Sequence, residues 1–171
     1  YNDMVGKREG VDKQWANVQS AYQRRLDLIP NLVSTVKGEA NFEQETLTKV
    51  VEARASATQM KLDVSKATPE QMMQWQQAQG QLGAALGRLI SISENYPNLQ
   101  ANQGFRELRD QLEGTENRIN TERDYYNEAI KNYNTHIRGF FTRMFINSEE
   151  FPRKEGFKAS AGAENTPSVE F

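Results

Sequence analysis

An all-α fold follows from three features of this sequence: an antiparallel up-and-down bundle of four long helices with an extended C-terminal tail. Apolar residues recur at intervals of three, four and seven along most of the chain, which is what left-handed helix packing requires. Nowhere does the period-two alternation of a half-buried strand persist. The prolines and capping residues that interrupt the rhythm leave only short connections, and short connections favour antiparallel neighbours. A length of 171 residues suits a single domain.

The first helix is expected over residues 1–26, with Met4, Val11, Trp15, Val18, Tyr22 and Leu26 on one stripe. Asp27 can cap a second helix over 28–64, with Pro30 in its first turn where a missing N–H costs little. Proline also disfavours helical dihedrals at Ile29, so the chain is expected to turn near 26–30. The second stripe carries Val33, Val36, Ala40, Leu47, Val50, Arg54 and Ala57. Gly38 and Asn41 soften this helix, but the rhythm crosses them, so it is expected to continue. One bent helix over 1–64 would give three helices instead; four is the preferred arrangement.

Thr68-Pro69-Glu70-Gln71 reads as a capping box with proline at the first helical position. It opens a third helix over 69–95 with Met72, Trp75, Leu82, Leu86, Leu89 and Tyr96. Asn95-Tyr96-Pro97-Asn98 then starts a fourth over 98–146, bearing Phe105, Leu108, Leu112, Ile119, Tyr126, Tyr133, Ile137, Phe140 and Met144. The bundle domain is placed at 1–150. Residues 151–171 change to Gly, Ala, Ser, Asn and Pro, with Phe157, Val169 and Phe171 as anchors, and read as an extended tail.

Composition narrows function. Lys plus Arg total 21 against 23 Asp plus Glu, a net charge of −2 that gives no polyanion signature, so no nucleic-acid partner is expected. The absence of cysteine removes thiolate nucleophiles and thiolate metal sites. His136 is the single histidine, too little imidazole for most zinc or Ser-His chemistry. No catalytic residue, cofactor site or metal site is expected. No apolar run approaches the ~20 residues that span a bilayer, and no signal peptide is visible. The chain opens on Tyr1 without a Met and reads as a fragment or a processed product.

Several polar features have a structural and a functional reading. Inner-face carboxylates Glu43, Glu116 and Glu122 could build a carboxylate metal site, but no Glu-x-x-His pair exists, since Tyr133 stands three residues before His136. Pairing with Arg54, Arg118 or Arg123 at the rim of the core is the favoured reading. Arg24-Arg25 could bind an anion; the favoured reading has them satisfy helix-end carbonyls and pair with Asp27. Gly80, Gly83 and Gly87 are read as a face that lets two helices approach.

The densest local signal is Arg24-Arg25-Leu26-Asp27-Leu28-Ile29-Pro30-Asn31-Leu32-Val33, followed by Val36-Lys37-Gly38. With Tyr1-Asn2, Glu43, Thr46-Leu47, Glu52-Ala53-Arg54, Tyr96-Pro97, Leu112-Glu113, Thr115-Glu116, Arg118-Ile119, Arg123, Tyr126-Asn127 and Tyr133-Asn134, it resembles the LemA family of bacterial membrane proteins along essentially the whole chain. Phe42 stands where that family often has histidine, and Phe140-Phe141 where it often has Phe-Pro. The resemblance implies a helical bundle held to a bacterial membrane by one N-terminal transmembrane helix upstream of Tyr1, with no catalytic activity to carry over.

On that topology helix four returns towards the membrane, carrying Phe140, Phe141, Met144, Phe145 and Ile146. Either this segment meets the membrane interface or a partner, or it closes the lowest layer of the bundle beneath the tail. The overall reading is a membrane-anchored, non-catalytic scaffold or interaction module of the bacterial envelope, with protein partners and homo-oligomers as expected associates. The alternatives are a self-assembling, lipid-remodelling protein and a carboxylate metal-binding bundle. Lys7, Arg8 and Lys13 follow the expected anchor, but the side of the membrane stays open without the upstream flank.

Overall fold

The computed structural model describes residues 2–60, 62–63, 66–144 and 156, with side chains through Gly139 and at Gly156. Five helices follow in order: α1 (Asn2–Lys37), α2 (Gln44–Gln59), α3 (Pro69–Ser93), α4 (Pro97–Ala101) and α5 (Gln103–Met144). The most extensive seam joins α1 to α5, and the next joins α2 to α3. Gln14 meets Glu122 and Arg25 meets Glu116, so numbering rises on α1 as it falls on α5, and these helices are antiparallel. Tyr22 contacts Trp75 and Arg25 contacts Gln79, which makes α1 and α3 parallel. Reversal at residues 38–43 brings Arg54 of α2 back to Leu26. The result is the expected up-down-up-down bundle, with α4 a short insertion at the top.

Two boundaries depart from the sequence reading. The expected break at 26–30 is absent, because α1 runs unbroken through Pro30. Proline at 30 removes the N–H that would bond the Leu26 carbonyl, four residues back. Arg54 replaces it: its Nε donates to the Leu26 oxygen at 3.1 Å. Leu28, Ile29, Leu32 and Val33 are buried on either side of the proline, so packing also holds the helical course. The chain turns instead at Gly38–Glu43, where Gly38 N donates to Thr35 O at 3.2 Å and Glu39 N to Val36 O at 3.0 Å. Phe42 folds inward onto Tyr96, ring centroids 4.9 Å apart, and the Tyr96 hydroxyl donates to the Asn41 carbonyl at 2.9 Å. The softness expected at Gly38 and Asn41 is therefore a terminus, fixed by a contact from across the bundle. The expected helices at 1–26 and 28–64 become α1 at 2–37 and α2 at 44–59.

The capping box is present as read: Thr68 Oγ1 accepts from Gln71 N at 3.1 Å, and Gln71 Oε1 accepts from Thr68 N at 3.0 Å. The fourth helix, expected from 98, is divided at Asn102, whose backbone is extended at φ −75° and ψ 120°. Its side-chain oxygen accepts from Phe105 N at 2.9 Å and so caps α5. Gln100 braces the joint by donating to the Ser93 carbonyl and accepting from Arg109. The tail expected at 151–171 lies outside the described residues except for Gly156. That glycine lies against α5: a Cβ there would stand 2.9 Å from Asn127 Oδ1 and 4.0 Å from Ile130 Cδ1.

Apolar side chains form two cores stacked along the bundle axis. The upper one joins Leu26–Val36, Phe42, α2, the second half of α3, Leu99, Phe105 and Leu112. The lower one joins Met4–Tyr22, Met72, Trp75 and Ile119–Ile137, with no buried residue from α2.

Arg54→Ala should destabilise the fold by about 1–3 kcal/mol, because it strands the Leu26 carbonyl. In a Pro30→Ala background, where the substituted alanine supplies its own N–H, the same change should cost much less; urea denaturation of the four proteins measures the coupling.

Candidate functional site

Arg25 falls on the apolar stripe of α1, seven residues after Val18, and is 2% exposed. It does not satisfy helix-end carbonyls or pair with Asp27, as the sequence suggested, because no helix ends there. Asp27 faces outward and accepts from Gln23 at 2.8 Å. Arg25 Nη1 instead donates to Glu116 Oε2 at 3.1 Å, and Nη2 donates to the Gln79 carbonyl at 2.7 Å and to Gln79 Oε1 at 3.1 Å. Glu116 and Gln79 are themselves buried. The guanidinium carbon lies 5.2 Å from the Tyr22 ring centroid, close enough for cation–π attraction. Gly83 makes room for the group, since a Cβ there would meet Nη1 at 3.2 Å. The small-residue face of α3 thus admits a charged side chain between helices, a closer account of Gly83 than simple helix approach.

This ionic layer sits between the two apolar cores and ties α1, α3 and α5 together. The expected carboxylate partners change accordingly. Glu116 pairs with Arg25, Glu122 accepts from Gln14, and Arg54 serves the Leu26 carbonyl. Arg123 hydrogen-bonds the Tyr22 hydroxyl. Glu43 precedes α2 without a side-chain cap bond, and Arg118 is exposed.

Below the layer the core is aromatic. Trp15 lies 5.1 Å from both Trp75 and Tyr126, and Tyr22 packs edge-on to Trp75 at 4.8 Å. Burial raises the phenol pKa of Tyr22 above the ordinary 10.0; Arg123 and Arg25 oppose the rise and Glu116 adds to it. Burial likewise raises Tyr126, helped by Asp12, and Tyr133, where Arg8 opposes.

Alongside the lower core runs a groove of about 620 Å³ between α1 and α5, lined among others by Asp3, Gly6, Lys7, Gly10, Tyr125 and His136. His136 is half-buried on its wall beside the buried Ile137, the flank position read from sequence. Among the described residues no three His, Cys, Asp or Glu side chains gather as a metal site would need. The segment Phe140, Phe141, Met144, Phe145 and Ile146 falls beyond description: α5 includes its first residues in its backbone, their side chains are not described, and Phe145 and Ile146 lie outside the described residues.

Sequence reasoning missed Arg25, Gln79 and Glu116 as a set, although a signal existed. Each stands at a heptad-compatible position on an apolar stripe: Arg25 after Val18, Gln79 between Trp75 and Leu82, Glu116 between Leu112 and Ile119.

Comparison with known proteins adds the lineage. The LemA family model matches residues 14–171. The chain belongs to the LemA family. Its relatives include the magnetosome proteins MamQ 1 and MamQ 2 of Paramagnetospirillum magneticum, each 27% identical over 99% of this chain and 68% of the relative. Protein LemA of Metamycoplasma hominis is 23% identical over 93% of this chain and 69% of its own length. Membership of this family implies a membrane-associated envelope protein that is not an enzyme. No helix among the described residues is long and apolar enough to cross a membrane.

Two outcomes follow from this geometry. Arg25→Ala or Glu116→Ala should each cost about 3–5 kcal/mol by leaving an unpaired buried charge. Exchanging both for Met and Leu should be close to neutral or stabilising, as denaturant titration will show. The raised phenols are protonated in the folded state and ionise first in the unfolded chain, so their stabilisation is complete below pH 10 and is lost above it. Each such phenol should steepen that loss by up to about 1.4 kcal/mol per pH unit. Absorbance at phenolate wavelengths should show a class of tyrosines that titrates only as the fold is lost.

Proposed function

We propose that this LemA-family chain is a membrane-tethered helical scaffold that binds other proteins through the outer face of its α2–α3 hairpin. The observation that carries this reading is a stretch of charge-free surface. From Gln71 to Gly87 no residue of α3 is charged, in a chain whose charged fraction is 26%. Solvated helix faces are normally rich in charge. Val51, Met60 and Met73 are three of the four large hydrophobic side chains exposed among the described residues, at 46%, 39% and 56%. All three belong to this hairpin or the residue that ends α2. Sequestered aromatics and a fully internal ionic layer leave chemistry little access, so the outer faces are the surface available to partners.

A second surface rests on the sequence of the α5 end. Phe140, Phe141, Met144, Phe145 and Ile146 hold more large apolar groups than one helix face of a small bundle usually buries, and they would suit a lipid interface or a partner there. The upstream anchor and a place in the bacterial membrane belong to the same proposal.

Photo-crosslinkers at positions 51, 60 and 73 of the full-length protein in cells should yield discrete protein adducts that crosslinkers at Arg24 and Arg118 do not. Equal or absent labelling at both sets would overturn the hairpin assignment. Phe141→Ser with Phe145→Ser should lower liposome association while the thermal midpoint is retained; loss of folding in a protein with no prior lipid affinity would assign that segment to the core.

A further inference from the structure

The two cores differ in construction. The upper core receives side chains from every helix, whereas the lower core is built from α1, the start of α3 and α5, with no buried residue of α2. Of the five helical glycines at which a Cβ would meet nothing within 4 Å among the described residues, Gly6, Gly10 and Gly139 lie alongside or below that lower core, and Gly80 and Gly114 lie close to the level of the Arg25–Gln79–Glu116 contact. Each therefore gives up helix propensity with no close contact to compensate. Between the cores lies the Arg25–Gln79–Glu116 layer, whose Arg25 Nε has no hydrogen-bond partner.

Where an opening stops is decided by what it leaves at its edge. An opening that ends inside an apolar core leaves cut hydrocarbon facing water. One that ends at a guanidinium, a carboxylate and an amide leaves groups that water solvates, and it relieves their desolvation. The Gln14–Glu122 contact further down is only part-buried, whereas the Arg25–Glu116 pair is buried between the cores, so an opening that ends there gains the most hydration at its edge.

From this we infer that the Arg25–Gln79–Glu116 layer divides the bundle into two cooperative units, and that the lower, aromatic unit opens while the upper one stays folded. Opening separates the early part of α1 from α5 and uncovers Trp15, Trp75, Tyr126 and Tyr133. The layer is thus a built-in stop that limits how far the bundle comes apart. It goes beyond the scaffold reading, because it concerns the interior and holds whichever partner the outer face takes.

The chain carries its own probe. Both of its tryptophans, Trp15 and Trp75, lie in the lower core, so fluorescence excited selectively at tryptophan reports that unit alone while far-ultraviolet circular dichroism reports all helices. In urea the 171-residue chain should lose its folded fluorescence at a lower midpoint than the main dichroism transition. Native-state hydrogen exchange should be faster in residues 2–22 and 119–137 than in 28–36, 82–90 and 105–112. Gly6→Ala with Gly10→Ala should raise the fluorescence midpoint and leave the main dichroism midpoint unmoved. The triple change Arg25→Met, Gln79→Leu and Glu116→Leu should merge the two transitions by joining the cores. Coincident transitions with uniform exchange in the unaltered chain would overturn the inference, as would fluorescence that outlasts dichroism. So would a folded triple variant whose transitions stay apart; should that variant fail to fold, the exchange pattern of the unaltered chain decides alone.

Discussion

The arrangement of this bundle depends on one guanidinium taken out of water. Arg25 sits on the stripe that should be purely apolar, and its burial is tolerable only because two helices, α3 and α5, meet it with matched acceptors. An apolar residue there would permit α3 and α5 to slide along α1 in steps that keep grease against grease. A fork that needs the Gln79 carbonyl, the Gln79 amide and the Glu116 carboxylate at once permits a single height for each neighbour. Gly83 belongs to the same constraint, since a side chain there would press on Nη1.

A second constraint acts one turn higher. Pro30 frees a carbonyl in the middle of a 36-residue helix, and Arg54 reaches from α2 to bond it. That bond compensates the defect in α1 and fixes α2 against it. With Phe42 folded onto Tyr96 at the upper turn, α2 is held at both ends to the elements that flank it in space. Polar contacts thus place each helix along the axis, and the apolar cores supply the adhesion.

Placement of this kind has a functional corollary for a LemA-family protein. Ionisable groups described in the interior are consumed in holding helices, and the lower core is filled by aromatic rings in tilted and edge-on contact. What faces outward differs from helix to helix. α5 is charged along its length, while α3 shows glutamine, glycine, alanine and an exposed methionine between its terminal charges. Outer faces that differ in character can hold one partner and repel another, as the proposed scaffold role requires.

The helical class, the antiparallel order and the start of α3 were all legible in the residues alone. Those depend on local signals: apolar spacing, and a capping box whose bonds span three residues. The same stripes gave most of the buried side chains, from Met4 to Ile137. Helix ends were legible only where the chain carries its own cap. Pro30 looked like a break and is not one, because the partner that rescues Leu26 is 28 residues away. Gly38 and Asn41 looked like a continuation and are a turn, because Tyr96 holds it from 55 residues on. The ionic layer was out of reach for the same reason. Arg25, Gln79 and Glu116 each appear as a lone polar residue on a stripe, and only packing that brings three distant stripes to one level turns them into a single interaction.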